Sequence, residues 1–312
     1  MSSTDQFTES PKLTAIAIGY RNPDQVLIAD DVLPRITAPA RNFKWTVYGE
    51  ADAFTVPNTR VGRRGTPNRI EIEGTELDGS VDDFGLDIPL DNVTIGEGLK
   101  NGNDPKNKAT ERATDLVMLD REVRVSELVT DPSNYHGDHL ESLSGTDLFD
   151  DHDSDPTTII EDMLDSCWIR PNQVTFGLSS WRAYRRHPKV VKAVQGNSGD
   201  EGRATRDQVA ELLEVRRVIV GASRINIKKP GEDPVLNRVW GNIVAGQYID
   251  RNADTSGGVT FGYSAVHGKK VAGTLPADMG IRGGVLVRSA ESIVEKIVAN
   301  RAGFLIQNVT SS

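Results

Sequence analysis

The longest hydrophobic pattern in the chain runs over residues 104–131. Ala109, Ala113, Leu116, Leu119 and Val123 recur at the three-and-four spacing of one helical face, and Leu128 and Val129 extend it. Asp104 is a good N-cap, and Pro105 suits the first helical position, where its missing N–H costs nothing. Pro132 stops the pattern. The spacing predicts one helix, about 40 Å long at 1.5 Å per residue. Lys106, Lys108, Glu111, Arg112, Arg121, Glu122, Arg124 and Glu127 leave much of its surface charged, so the helix is expected to be only partly covered. The apolar pattern does not hold over three or four heptads, which argues against a coiled coil.

Before this helix the rhythm changes. The first ten residues are polar. Pro11, Pro34 and Pro39 punctuate the next segment, and the apolar pieces 13–18 and 26–33 suit an extended arm that packs against something else. Phe43, Trp45 and Val47 alternate with Lys44, Thr46 and Tyr48, which predicts a half-buried strand. Residues 53–57 and 68–74 read as the two sides of a long hairpin, with its turn at residues 60–65. Phe84, Leu86, Ile88 and Leu90 alternate strictly with Gly85, Asp87 and Pro89; this is the clearest strand in the chain, and Pro89 favours an edge position.

After the helix, residues 133–155 are polar and aspartate-rich. Asp155 and Pro156 read as the N-cap and first turn of a helix carrying Ile159, Ile160, Met163, Leu164, Cys167 and Trp168. Val174, Phe176 and Leu178 alternate as a strand. Ser179 or Ser180 caps a helical segment that Pro188 breaks. Residues 196–204 form a loop, and Thr205 with Gln208 forms a capping box for a helix carrying Val209, Leu212 and Leu213. Strands follow at 218–220, 239–245 and 259–263, and the tail reads as three more at 285–287, 293–298 and 304–309. Helices and strands mix without a regular βαβ rhythm, so the fold class is α+β.

The 312 residues allow one large domain or two ordinary ones, and the formal charge is −9. That balance argues against a general nucleic-acid binder or a membrane-surface protein, although it leaves room for a local basic patch. A single cysteine excludes an intramolecular disulfide framework. No apolar run approaches the length of a membrane span or a signal-peptide core, so the protein is expected to remain inside the producing cell.

The charge is segregated in the predicted hairpin. Arg60, Arg63, Arg64 and Arg69 cluster at its tip with no acid among residues 59–70. Glu71, Glu73, Glu76, Asp78, Asp82, Asp83, Asp87 and Asp91 follow. A solvated hairpin is one reading. The other is electrostatic matching, with the basic tip of one molecule meeting an acidic surface on the next. DNA contact is a weaker third, because no aromatic is interleaved with the arginines.

Catalytic motifs are missing: there is no G-x-S-x-G elbow and no G-x-G-x-x-G after a strand. Residues 262–270 approach a phosphate loop but have one residue too many between the glycines, and lysine where Ser or Thr should bind magnesium. Cys167 lies on the apolar stripe of its helix and reads as a core residue. His187 precedes a proline at the basic end of a helix, where a role facing the dipole suffices. The sharpest candidate is a metal site. His136, Asp138, His139 and His152 lie in the acidic segment, and Asp151, Asp153 and Asp155 match the first positions of an EF-hand loop. Pro156 then sits where that loop needs glycine, and Asp162 replaces its bidentate glutamate, so a solvated connector is preferred. No catalytic residue, metal or cofactor is expected.

The order of parts resembles the major capsid proteins of tailed bacteriophages, with their Hong Kong 97-type fold. The sharpest likeness lies in residues 173–194, QVTFGLSSWRAYRRHPKVVKAV, and in residues 211–225, ELLEVRRVIVGASRI. By that resemblance residues 1–42 are an N-terminal arm and 43–98 an extended loop reaching a neighbouring subunit. Residues 99–167 form a peripheral domain whose spine helix is 105–131. Residues 168–285 are mainly an axial domain around five-fold and six-fold axes, and 286–312 return to the peripheral sheet. The resemblance implies a subunit that assembles with itself into pentamers and hexamers, forming an icosahedral virion head around double-stranded DNA without binding it specifically. Arg60, Arg63, Arg64, Arg69, Glu71 and Glu73 would make contacts between subunits. It also implies portal and decoration partners and synthesis in the host cytoplasm. Some relatives cross-link through a lysine on the extended loop; no lysine lies between Lys44 and Lys100 here, so no such bond is expected. The short polar start implies that scaffolding is a separate protein. The competing readings are a metal-dependent hydrolase or metal-binding protein using the 136–155 loop, a cellular nanocompartment shell of the same fold, and a DNA-binding module built on Arg60, Arg63 and Arg64.

Overall fold

A computed structural model describes residues 6–21, 26–48, 55–69, 74–196, 202–229, 231–255 and 257–311. The chain opens with β1 (Thr8–Glu9), α1 (Pro11–Gly19), α2 (Ala29–Val32), β2 (Arg35–Thr37), β3 (Asn42–Tyr48) and β4 (Gly74–Ser80). It continues with β5 (Asp82–Asp91), α3 (Asn92–Lys100), α4 (Pro105–Thr130), β6 (Leu140–Ser142), α5 (Pro156–Ser166) and β7 (Gln173–Gly177). Then come α6 (Leu178–Tyr184), α7 (Pro188–Gln195), α8 (Arg206–Leu212), β8 (Arg217–Gly221), β9 (Arg224–Asn226) and β10 (Leu236–Arg238). The last strands are β11 (Ile243–Gln247), β12 (Gly262–Val266), β13 (Val271–Ala277), β14 (Gly284–Ile297) and β15 (Gly303–Gln307).

The strands form two principal sheets. The first has the order β1-β13-β14-β12-β2, with β5 also paired to β14, and the second has the order β6-β15-β11-β7-β8. β13 and β5 both pair antiparallel with the first half of β14, so they flank it on opposite edges, and β5 has no further neighbour in the sheet. Its edge position is the one Pro89 favoured. The second sheet is covered on both faces. Val244, Phe304 and Ile306 face one core with α5, α6 and α8, whereas Ile243, Ala245 and Leu305 face another with Val125 and Val129 of α4. Burial on both faces explains why β8, β11 and β15 read as nearly continuous apolar runs, whereas β7 reads as alternating because Gln173 and Thr175 on its other face are buried polar residues.

The long helix forms where it was expected, with Asp104 accepting from the Lys106 N–H at its start. Its buried face is only partly the expected one. Ala109, Ala113, Val117, Val125 and Val129 are buried at every fourth position, and Leu116, Leu119 and Val123 are only half-buried. The missing member of that series is Arg121, which is 3 % exposed, and its neighbour Glu122 is 0 % exposed. Both were expected on the surface. They are inside because this turn of the helix lies where the N-terminal segment and both sheets meet, and those elements supply partners.

Glu122 accepts from the backbone N–H groups of Ile28 (2.9 Å) and Ala29 (2.8 Å), from Trp240 Nε1 (2.6 Å) and from Ser223 Oγ (3.2 Å). α2 has no side-chain cap of its own. The Glu122 carboxylate takes that place from across the core, where an anion satisfies the free N–H groups of a helix start. Burial raises the Glu122 pKa above the ordinary glutamate value, and its four donors oppose that rise. Trp240 reaches the carboxylate because Gly221 lies beneath it; a Cβ at that position would sit 2.2 Å from the indole.

Arg121 donates to the Leu33 carbonyl (3.2 Å) and Ser264 Oγ (2.9 Å), and pairs with Asp30. Arg124 pairs with Glu295 (3.0 Å) and stacks 3.6 Å from the Phe84 ring of β5. Arg35 of β2 bridges Asp30 and Glu291, each at 2.7 Å. Burial alone would raise the Asp30 pKa, but Arg121 and Arg35 outweigh it and hold the group at about 2. Glu291 is likewise left below its ordinary value, burial being overcome by Arg35, Lys270 and Arg121.

Several expectations are corrected. The apolar pieces near the N-terminus are not extended: residues 11–19 form α1, capped by Ser10 with Pro11 in the first turn, and Leu13 and Ala17 pack against Ala109, Ala272 and Val287. The two strands expected at 285–287 and 293–298 are one continuous strand, β14. Its buried face carries Ser289, Glu291, Ile293 and Glu295, and the polar members of that face hide the alternation. Ser289 meets Thr114 of α4 at 2.8 Å. The tail divides between sheets, with β14 in the first and β15 between β6 and β11 in the second. Gly177, not Ser179 or Ser180, precedes α6, while the Thr205–Gln208 capping box is present as expected.

Replacing Glu122 by alanine strands four buried donors, each costing about 1–3 kcal/mol when left unsatisfied, and is expected to destabilise the fold by about 3–5 kcal/mol after local relaxation; a denaturation midpoint equal to wild type would contradict this. The Glu291 pKa is depressed on folding, so its contribution is present above the ordinary value of 4.5 and is lost as pH falls through the folded value. Thermal melts between neutral pH and pH 3 are expected to show a smaller acid loss in Glu291→Gln than in wild type.

Candidate functional site

The hairpin that carries the arginines is anchored at its base. β3 and β4 pair from Asn42↔Ser80 to Tyr48↔Gly74. Phe43 and Trp45 project to one side, where they pack with Val81, Tyr263 and Ala265. Gly79 makes room for both rings, since a Cβ there would lie 2.8 Å from Trp45 and 2.9 Å from Phe43. Lys44 pairs with Glu76 across the ladder at 2.8 Å. The ladder therefore spans residues 42–48 and 74–80, in place of the expected sides at 53–57 and 68–74. Of those expected sides, residues 55–57 and 68–69 lie outside any strand, and residues 53–54 and 70–73 lie outside the described residues.

Beyond the ladder, residues 55–69 are exposed throughout. The Asn68 side chain donates to the Asn58 carbonyl (2.7 Å), and Gly65 N–H donates to the Gly62 carbonyl (2.9 Å), which makes the tight turn at Arg63 and Arg64. Arg60, Arg63, Arg64 and Arg69 are exposed, and none pairs with an acid among the described residues. Glu71 and Glu73 lie outside the described residues.

The acids that follow are mostly engaged within the chain. Asp83 pairs with Arg41 and accepts from Ser292; Asp87 takes both prongs of Arg288 at 2.7 Å. Asp91 caps α3 through the Thr94 N–H (2.8 Å). Hydrogen bonds from Ser292 and Arg41 hold the Asp83 carboxyl below its ordinary range, and that from Arg288 does the same for Asp87. Only part of the acidic stretch, Asp78 and Asp82 among the described residues, is left to meet a basic partner.

The 136–155 segment does not assemble a metal centre: no group of three or more His, Cys, Asp or Glu among the described residues could hold an ion. His139 is buried, with Nδ1 3.3 Å from the Gly303 carbonyl, and burial lowers its pKa, so it is neutral. His136 Nε2 accepts from Arg301 at 2.8 Å. Asp155 caps α5, and Asp151 caps the turn at Asp153. His187 caps the following helix, α7, rather than closing the one before it. Its Nδ1 accepts from the Lys189 N–H and its Nε2 donates to the Asp151 carbonyl at 2.9 Å. Cys167 is buried with its thiol pushed up to about 12 by burial, so it keeps its proton. Residues 262–266 are strand β12 and present no phosphate loop. Among the described residues no helix is long and apolar enough to cross a membrane.

The buried cluster around Arg121 and Glu122 escaped the sequence reading, although one signal was present. Arg121 stands in the every-fourth-residue series between Val117 and Val125, so a charge occupies a slot that the helix turns inward.

No family model matches the chain. The major capsid protein of Pseudomonas phage JBD67 is 42 % identical over 311 residues, covering 99 % of this chain and 100 % of that protein. A phage-related protein from Bordetella bronchiseptica superposes with a TM-score of 0.74 at 22 % identity, covering 97 % of this chain and 98 % of the other. The capsid protein of cyanophage P-SCSP1u superposes with a TM-score of 0.55 at 9 % identity over 100 % of this chain and 93 % of its own. Full-length identity at that level and a shared α+β architecture converge: the chain belongs to the family of tailed-bacteriophage major capsid proteins and has their Hong Kong 97-type fold.

Proposed function

We propose that this chain is the repeating subunit of an icosahedral phage head, closing as pentamers and hexamers around double-stranded DNA. The observation that carries the reading is the arginine tip, four exposed cations on an anchored hairpin with no acid to meet among the described residues of their own chain. A monomer gains nothing from such a feature, whereas a neighbour offering acidic surface gives it register and orientation. In this reading the segment before β3 is the N-terminal arm, residues 43–98 are the extended loop and α4 is the spine of the peripheral domain (99–167). Residues 168–285 are mainly the axial domain. Residues 286–312 carry the tail back, β14 to the sheet that the spine covers and β15 to the other. Arg60, Arg63, Arg64 and Arg69, with Glu71 and Glu73, make the contacts between subunits.

The partners are first of all further copies of the chain, and then separate scaffolding, portal and decoration proteins. The subunit is made in the host cytoplasm and ends in the virion head. A net charge of −9 suits a shell that holds DNA without adhering to it. The role is structural and asks for no catalysis. The relative at 42 % identity is a phage coat protein, which favours this reading over a nanocompartment shell or a metal-dependent hydrolase.

Reversing the tip with Arg63→Glu and Arg64→Glu is expected to lower particle yield by at least about tenfold, since each lost contact to an acid becomes a repulsion. Circular dichroism of the variant subunit should match wild type; unchanged particle yield would exclude the tip from assembly. Because no lysine lies between Lys44 and Lys100, mature particles are expected to run as a single band on denaturing gels. A ladder of covalent multimers would contradict that.

A further inference from the structure

A second concentration of cations lies far along the chain from the hairpin. Arg182 is in α6, Arg185 and Arg186 follow it, and Arg203 and Arg206 come from the segment leading into α8. With Leu178 and Trp181 these five arginines line a cleft of about 330 Å³. The cleft is built rather than incidental. The Ala204 N–H donates to the Arg185 carbonyl at 2.9 Å, and the Ala204 side chain is fully buried, so the 203–206 segment is pinned against α6. The capping box of Thr205 and Gln208 sets the turn that presents Arg206. Trp181 is buried beneath, with the Arg185 guanidinium 5.6 Å from its ring. Among the described residues no carboxylate lines the cleft, and none of the five arginines pairs with an acid. The Nε of Arg185 is sealed from solvent without a hydrogen-bond partner.

A guanidinium stays protonated at any pH a protein survives, so this crowding of like charge has no relief by loss of a proton. An anion is the remaining relief. A carboxylate brings one negative charge per group, whereas phosphates bring one or two each and match the planar donor fork of arginine with two oxygens at once. The cleft has the volume of about ten waters, enough for about two or three linked phosphate groups. A helix, about 10–12 Å across with its side chains, does not enter such a space, which disfavours an acidic helix from another copy.

We propose that the cleft lined by Arg182, Arg185, Arg186, Arg203 and Arg206 is a binding site for linked phosphates, supplied by a free oligophosphate or by the backbone of a nucleic acid. The site is local and does not conflict with a negative chain, because a short-range cluster of five cations dominates the potential within one Debye length, about 8 Å at physiological salt.

The test uses the full-length chain and tripolyphosphate as the probe. Calorimetric titration is expected to show binding at about 50 mM salt that weakens markedly by about 200 mM. The double variant Arg186→Gln with Arg206→Gln removes two exposed side chains and is expected to lower the affinity about tenfold or more. Its thermal melt without ligand should match wild type. A short single-stranded oligonucleotide is then run in competition. Displacement of tripolyphosphate assigns the nucleic-acid backbone as the source, and failure to displace it assigns a free oligophosphate. The proposal is overturned if tripolyphosphate does not bind at low salt, or if the double variant binds it as wild type does. It is equally overturned if an aspartate-rich peptide copying residues 147–155 displaces tripolyphosphate at lower concentration, which would assign the cleft to protein carboxylates.

Discussion

A carboxylate sealed from water is tolerable only where enough donors replace its hydration, and Glu122 meets that condition with groups from three distant parts of the chain. Two are the first N–H groups of α2, one is the indole of Trp240 and one is the hydroxyl of Ser223. Each donor would itself be stranded without the carboxylate, so the N-terminal segment, the long helix and the region around the second sheet are held to one arrangement. Apolar contacts alone tolerate small slips between packed elements; a carboxylate with four directional partners does not.

The second layer of that constraint is ionic. Arg35, Arg121 and Arg124 interleave with Asp30, Glu291 and Glu295, joining β2, α4 and β14 one turn from Glu122. Charges of both signs alternate in this cluster, and its arginines hold the Asp30 and Glu291 carboxyls below their ordinary values despite burial. The contrast with the outside of the molecule is informative. The hairpin tip and the cleft beside Trp181 both concentrate arginines with no acid among the described residues to balance them. Inside, charge is matched within the chain and fixes the fold. At the tip and in the cleft it meets no acid among the described residues.

The residues that first attracted attention as chemistry turn out to be local architecture. His187, Asp151 and Asp155 satisfy free N–H groups at the starts of turns and helices, and His139 is a neutral core side chain. A polar segment dense in histidine and aspartate has the same composition whether it binds a metal or caps short turns. The distinction lies in where the side chains converge: here His139, Asp151 and Asp155 meet separate backbone groups, while His136 lies against Asp138 and Arg301.

The sequence by itself determined the features that depend on neighbours within a turn or two. The start of α4 at Asp104, the caps at Asp155 and Thr205, the alternating strands β3 and β5 and the edge position of β5 were all legible, because a cap or an alternation is a local matter of spacing and side-chain reach. The exposed arginine tip was legible too, since no acid lies among residues 59–70. Only the tertiary structure decided which face of α4 is buried, that residues 284–297 form one strand, and that β14 and β15 part company into different sheets. It alone gathered Arg182, Arg185 and Arg186 with Arg203 and Arg206 into one cleft. For the helix face and the long strand the physical reason is shared. Ser289, Glu291, Glu295, Arg121 and Glu122 are polar residues at buried positions, so hydrophobic periodicity is silent about them. Their burial is favourable only because partners far away in the chain arrive at the same place.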